Sequence, residues 1–330
     1  MRVGLIGAGY FAAFHAEAWT RLGCDLVVAD LDQEKAAAIG RPVPVEALFA
    51  DPPDIIDIAT PPPSHATLIR RALAARPRVI ICQKPFCTSL EEARDVAKDA
   101  KVAGVSLIVH ENIRFQPWYR RIKEVVEAGT LGDLHRAAFS FRTGDGQGPI
   151  AYLDRQPYFQ TMPRLLIHET GVHWIDTFRF LFGEAEAVDA DLQRMNPAIV
   201  GEDAGRFTLR YANGLRATFD GDRCLDSGAE NPRLTFGTFM LEGTAGTLRL
   251  KTDGSVHLRP FKQITETEIL PAFTGGGFAG DCVHATNAHV LTALKGDGTF
   301  ENTALEYITN LEIVEAVYRA SETGAVQPLA

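Results

Sequence analysis

Cysteine is scarce and never patterned in pairs. The five cysteines, Cys24, Cys82, Cys87, Cys224 and Cys282, are odd in number and include no CxxC. That excludes a disulfide framework and a Cys-rich zinc site, and it predicts a reducing, cytoplasmic setting. Basic charge is short as well: 33 Lys and Arg stand against 42 Asp and Glu, for a net charge of −9. An acidic chain without a Lys/Arg cluster suits neither nucleic acid nor an anionic membrane. No apolar run approaches the roughly 18 residues of a membrane span. The 19 phenylalanines have no basic groove beside them, so they read as core rather than a base-stacking platform. Internal repeats and low-complexity linkers are missing too.

What remains is an ordinary globular composition. The 330 residues are 46% hydrophobic and 23% charged, enough for two domains with cores that need no staple. Arg2, the uncharged run 3–14 and Ala16-Glu17-Ala18 loosely imitate a secretory leader. A strand followed by a helix explains the same residues better.

The first third alternates apolar runs with helical patterns, as a parallel α/β sheet does. Strands are expected at 2–6, 25–29, 43–45, 55–59, 79–82 and 106–109, and helices at 10–22, 33–39, 66–75 and 90–103. The pattern then changes to a helix at 118–127, a strand at 134–142 and a long helix at 168–182 ended by Gly183. Two hairpins follow, signalled by Asn213-Gly214 and Asp253-Gly254. Helices near 279–294 and 303–322 close the chain. The expected fold class is therefore α/β at the N-terminus and α+β with a mostly antiparallel sheet after it. The domains are 1–116 and 117–330, with the C-terminal helix free to pack back on the first.

After the first strand comes Gly7-Ala8-Gly9-Tyr10-Phe11-Ala12, a GxGxxA sequence. Its glycines permit a tight turn and close approach of a pyrophosphate, and the helix N-terminus offers free N–H groups. Asp30 ends the second strand about 20 residues on, where a carboxylate can accept hydrogen bonds from ribose hydroxyls. Asp30 and Asp32 would repel a 2′-phosphate, and no Arg lies at 31–34 to compensate. NAD is expected, with NADP the less favoured cofactor.

Further motifs follow in order: Ala59-Thr60-Pro61-Pro62-Pro63-Ser64-His65, Gln83-Lys84-Pro85, Asn112-Ile113-Arg114-Phe115-Gln116-Pro117, Glu169-Thr170-Gly171-Val172-His173-Trp174-Ile175-Asp176 and Glu242-Gly243-Thr244-Ala245-Gly246-Thr247. In this order and spacing the chain resembles the Gfo/Idh/MocA oxidoreductases, the glucose–fructose oxidoreductase and inositol dehydrogenase-like enzymes, over nearly its whole length. Pro163-Arg164 before His168, with 112–118 and 280–284, is most similar to the aldose dehydrogenase branch and its D-apiose dehydrogenase-like members. The resemblance implies a Rossmann domain, a second domain with a large open sheet, and an active site between nicotinamide and that sheet domain. It also implies a homodimer or homotetramer.

By the same resemblance the family's catalytic lysine maps onto Lys84, and its helix-borne acid and histidine map onto Glu169 and His173. Gln83 stands where the family has Glu, and Glu169 where it has Asp; both departures put the usual proton-transfer details in doubt. Gly7, Gly9, Tyr10, Phe11, Asp30, Thr60, Pro61, His65 and Lys84 are the candidate cofactor positions. Asn112, Arg114, Arg164 and His168 are the candidate substrate positions.

An imidazole can take an alcohol proton near neutral pH, and a carboxylate beside it can orient the ring. Glu169, His173 and Asp176, at i, i+4 and i+7, share one helical face. The Lys84 ammonium could stabilise negative charge on the reacting oxygen. His168 and His173 at i, i+5 lie roughly 140° apart on an α-helix, and HExxxH is one residue too long for a zinc motif, so no metal is expected. Arg114 could equally brace the domain seam, and Asp281 could either orient His284 or cap a helix.

The expected function is hydride transfer from a sugar or polyol C–OH, such as an aldose oxidised to a lactone, to NAD. Two alternatives stay open: epimerase or glycosidase-type chemistry with retained cofactor, and a non-catalytic sugar or NAD sensor on the same fold.

Overall fold

Most of the short apolar runs at the start of the chain become parallel strands whose residues are buried on both faces, 55–58 and 79–83 throughout. The computed structural model describes residues 1–329. It divides into two units, 1–112 with 281–311 and 113–280 with 312–330.

The first unit contains β1 (Arg2–Ile6), α1 (Ala12–Arg21), β2 (Asp25–Ala29), α2 (Gln33–Ile39), β3 (Arg41–Pro42), α3 (Val45–Ala50), β4 (Ile55–Ile58), α4 (His65–Ala75), β5 (Val79–Gln83), α5 (Leu90–Ala103) and β6 (Ser106–His110). The sheet runs β3-β2-β1-β4-β5-β6, all parallel. This order reverses direction between β1 and β4, and α/β sheets bind ligands at the carboxyl ends beside such a point. Local chemistry sets the helix starts. Asp32 caps α2 by accepting from the N–H groups of Glu34 and Lys35. Ser89 caps α5 by accepting from the Glu92 N–H, and the Glu92 carboxylate accepts from the Thr88 N–H just before the cap.

Two expectations change here. The strand expected at 43–45 is two residues earlier and only two long, and α3 follows, missed because six residues carry too little periodicity. The segment 281–311, assigned by sequence to the second domain, belongs to the first unit. Its Val290 and Leu291 enter the core formed by Val3, Trp19, Ile55, Val79, Ile81 and Ile108.

The second unit contains α6 (Pro117–Glu127), β7 (Leu134–Phe141), α7 (Val172–Phe182), β8 (Ala187–Gln193), β9 (Ala204–Arg210), β10 (Arg216–Asp222), α8 (Pro232–Thr235), β11 (Gly237–Gly243), β12 (Gly246–Leu250), β13 (Val256–Pro260) and β14 (Thr267–Leu270). The chain then enters α9 (Cys282–Leu294) in the first unit, α10 (Ala304–Thr323), and β15 (Gln327–Pro328). Nine strands form one sheet, β14-β13-β12-β11-β7-β10-β9-β8-β15. It is antiparallel except for the pair β7 and β10. Both Gly hairpins form: Gly214 and Gly254 sit at φ 91° and 83°, where a side chain would be strained. α7 covers one sheet face through Trp174, stacked on Phe139 at 4.2 Å, and Phe207 and Phe219 continue that core. Among the described residues no helix is long and apolar enough to cross a membrane.

Candidate active site

The glycine turn after β1 has two glycines with different tasks. Gly7 adopts φ +107°, and a Cβ there would lie 2.7 Å from the carbonyl oxygen of Ala59. The turn therefore presses on the end of β4 and tolerates no side chain. Gly9 is exposed, and a Cβ there would meet nothing within 4 Å. No side chain caps α1, so its first N–H groups point into that open space. A pyrophosphate fits this cradle: open room above Gly9, uncapped donors and a positive helix end. Asp30 closes it. One carboxylate oxygen accepts from the Ala8 N–H at 2.6 Å and the other from the Asp32 N–H at 2.8 Å. A carboxylate has about four acceptor positions, so room remains for ribose hydroxyls. Tyr10 is half exposed and packs edge-on against Phe14, while Phe11 packs on His15.

The loops after β4 and β5 carry Thr60, Pro61, His65 and Lys84. Thr60 Oγ1 lies 2.7 Å from Ser64 Oγ, and Pro61 is exposed. His65 departs from expectation. It is fully buried, with Nε2 2.7 Å from the carbonyl oxygen of Thr60 and Nδ1 3.0 Å from that of Phe86. The neutral ring has one N–H and donates to one of these two carbonyls, and its full burial between the loops leaves no surface for a cofactor. Burial pushes its pKa down, against the pull of those carbonyls. Lys84 is half-buried one residue beyond β5, and its N–H donates to Gln83 Oε1 at 2.6 Å.

In the second unit the expected single helix at 168–182 is not one helix. Residues 166–171 form a π-helical turn, and α7 starts only at Val172. A π turn brings residues five apart toward the same side, and such turns are common at functional sites. From Leu165 to Phe178 every residue is buried except His168, Glu169 and His173. His168 thus joins Glu169 and His173 in a half-buried set that α-helical geometry denied it. Asp176 leaves that set: its side chain is 1% exposed and pairs with Arg114 through two contacts of 2.6 Å.

Arg114, expected as a substrate contact, is thereby committed to bracing α7. Arg114→Met should destabilise the protein by about 3–5 kcal/mol, because the buried Asp176 carboxylate would lose the two charge-assisted contacts that this guanidinium makes to it. Adding Asp176→Leu should restore most of that loss, and urea titration of both variants checks it. Arg164 donates to Glu315 at 2.6 Å and lies over the Tyr318 ring. The His168 N–H donates to the Tyr318 hydroxyl at 3.2 Å. Asn112, the last residue of the first unit's opening segment, is buried. Asp281 neither caps α9 nor serves His284 alone; Arg21 binds it through contacts of 2.8 and 2.5 Å.

Sequence reading missed Arg223. It lies just beyond β10, almost wholly buried, and its guanidinium reaches Glu169 Oε2 at 3.1 Å and Asp145 at 3.4 Å. Glu169 also accepts from the Thr170 hydroxyl at 2.8 Å. The acid is therefore held from behind by a buried cation. No local signal marks Arg223, because its partners come from distant segments. Asp57 could have been found: a carboxylate inside Ile55-Ile56-Asp57-Ile58 is out of place in a buried strand unless paired. Among the described residues no group of three or more His, Cys, Asp or Glu is arranged to hold a metal.

These features define a dinucleotide-dependent oxidoreductase scaffold, and comparison with known proteins agrees. Residues 1–111 match the oxidoreductase family with an NAD-binding Rossmann fold, and residues 119–249 match the GFO/IDH/MocA C-terminal domain. The chain belongs to the Gfo/Idh/MocA family of oxidoreductases. It is 31% identical to a D-apiose dehydrogenase of Paraburkholderia graminis, over 97% of this chain and 87% of that protein. It is 30% identical to a D-apiose dehydrogenase of Rhizobium rhizogenes, over 98% and 96%. Among solved structures, an Agrobacterium radiobacter oxidoreductase in complex with NAD+, L-tartaric acid and magnesium superposes with a TM-score of 0.88 at 28% identity, covering 100% of this chain and 98% of that one. Levoglucosan dehydrogenase, in complex with NADH and levoglucosan, shares the fold at a TM-score of 0.83 and 20% identity, covering 100% and 99%.

Proposed function

We propose that this protein is an NAD-dependent dehydrogenase that oxidises a sugar or polyol hydroxyl, an aldose being the favoured substrate and a lactone the product. One observation carries this reading. The carboxyl ends of β1, β4 and β5, neighbours beside the reversal in strand order, bear the glycine cradle, the Thr60-Pro61 loop and Lys84. NAD, when bound, supplies the hydride acceptor. Gly7, Gly9, the start of α1 and Asp30 would hold it, with Tyr10, Phe11, Thr60 and Pro61 lining its edge. The Lys84 ammonium polarises the substrate oxygen and stabilises negative charge there. His173 takes the hydroxyl proton. Glu169, fixed by Arg223, supplies the negative charge on the same half-buried strip. His168, Arg164 and Asn112 supply hydrogen bonds to further hydroxyls.

A panel of aldoses, polyols and sugar acids with NAD+ and NADP+, followed by absorbance of the reduced cofactor, tests the reading. Turnover of an aldose with NAD+ is expected. No reduced cofactor from any of them would refute it. Asp30→Ala should weaken NADH binding by about tenfold or more, since a charge-assisted hydrogen bond is lost. It should also narrow the preference over NADPH, and fluorescence titration with both cofactors reads this.

We infer a cytoplasmic homo-oligomer. All five cysteines are free, and burial pushes the thiols of Cys82, Cys87 and Cys282 up, as suits a reducing compartment. The face of the nine-stranded sheet away from α7 carries Thr208 and Thr218, whose hydroxyls pair at 3.0 Å. Size-exclusion chromatography with light scattering reads the stoichiometry, and a monomer would refute it.

A further inference from the structure

Behind Lys84 lies a string of buried polar groups that the proposed chemistry has not used. Asp57 is in β4, Gln83 ends β5 and His110 ends β6, with Gln83 opposite His110 and Asp57 opposite Ile81. Alternation along the strands puts Asp57, Ile81, Gln83 and His110 on one sheet face. α1 covers that face with His15 and Trp19. His15, Asp57 and His110 are completely buried, and Gln83 nearly so.

The hydrogen bonds run in one direction. The Lys84 N–H donates to Gln83 Oε1 at 2.6 Å, which fixes the amide's orientation. Gln83 Nε2 must then donate to His15 Nε2, 3.0 Å away. An accepting Nε2 places the ring proton on Nδ1, which donates to Asp57 Oδ2 at 2.8 Å. The Trp19 indole N–H donates to the same oxygen at 2.7 Å. Burial would push the Asp57 carboxyl up, but His15 and Trp19 hold it below its ordinary value. The neighbouring charged or titratable groups are His110, whose ring centre is 4.1 Å from that of His15, Cys82 and Glu111. Burial and His15 hold His110 down to about 3, and it bonds Asn287 on α9 at 3.1 Å.

We propose that His15 is a positioning residue for Lys84: anchored by Asp57 and reading out through the Gln83 amide, it fixes the peptide from which the ammonium projects. This deepens the function proposed above, since it concerns the lysine placed there on the reacting oxygen. A histidine serves because it alone carries a donor and an acceptor on opposite sides of one rigid ring. The string translates a charge buried in β4 into the orientation of one backbone N–H beyond β5.

The test uses the whole protein with its lysines reductively methylated with 13C-formaldehyde. The Lys84 signal is assigned by its loss in Lys84→Ala. Gln83→Met and His15→Phe should shift or broaden that signal and lower kcat by about 10- to 100-fold, the usual cost of small misplacements. In Gln83→Met, NADH affinity by fluorescence should stay within about threefold, because Gln83 lies outside the glycine cradle. Gln83→Glu keeps an acceptor for the Lys84 N–H but offers His15 a second acceptor. The ring must then hold a proton on Nε2, so this variant should be most active at low pH and fall as pH rises, with the Lys84 signal moving in step. An unchanged Lys84 signal and wild-type pH profile in Gln83→Met and Gln83→Glu would overturn the proposal, whether or not His15→Phe folds. The 13C readout needs no substrate. Absence of turnover on every sugar would count against the dehydrogenase reading alone.

Discussion

Replacing Lys84 by alanine lowers kcat by about 100- to 1,000-fold, the range for losing one donor to a developing negative charge. NADH affinity falls by much less than kcat, because Lys84 is one of several cofactor positions and the cradle at the end of β1 stays intact. The protein stays folded. The Lys84 side chain is only half-buried, and what the core holds is its peptide, through Gln83. Lys84→Arg does not rescue the rate, since a planar guanidinium offers a fork where a compact ammonium is needed. Stopped-flow or steady-state assays with the best sugar from the panel measure kcat, and titration with NADH measures binding. A Lys84→Ala enzyme within a few fold of wild type would remove the lysine from the chemistry.

The second large effect separates the two glycines of the turn. Gly7→Ala must place a methyl group 2.7 Å from the Ala59 carbonyl oxygen and 2.9 Å from its carbon, both backbone atoms. It must also hold a non-glycine residue at φ +107°. The turn has to open, costing about 1–3 kcal/mol of stability from strain of this kind. NADH binding should weaken by about 100-fold as the cradle loses its shape. Gly9→Val gives the contrasting result. Its Cβ meets no protein atom within 4 Å and the residue is exposed, so the melting temperature should hold. It fills the space assigned to the pyrophosphate, so NADH binding should fall by a similar factor, about 100-fold. Thermal melts with NADH titrations decide it. Unchanged binding in Gly9→Val would mean that the cradle holds no dinucleotide.

Much of the first unit was legible because its signals are local. Apolar runs and the glycines Gly7 and Gly9 each lie within a few residues of what they control. The two hairpins of the second unit were legible for the same reason. Other features were not. His65 belongs to a sequence that looks like a cofactor loop, yet its ring is buried between the carbonyls of Thr60, 5 residues before it, and Phe86, 21 residues after it. Arg114 and Asp176 are 62 residues apart and satisfy each other instead of a substrate. No pattern within one segment reports such a pairing, because each group alone is an ordinary charged residue.

The turn in residues 166–171 shows the limit most directly. HExxxH read as an α-helix separates His168 from His173. One π turn puts them on the same half-buried strip with Glu169, inside a run otherwise buried from 165 to 178. The sequence by itself determined the parallel sheet and the nucleotide turn, which rest on backbone conformation and periodicity, properties of neighbours along the chain; its ordered motifs carried the resemblance to the family. Only the tertiary structure decided which polar groups are available and which are consumed by Arg223, Asp176 or a carbonyl. A buried charge has to find its partner in space, and that partner comes from wherever the fold brings one.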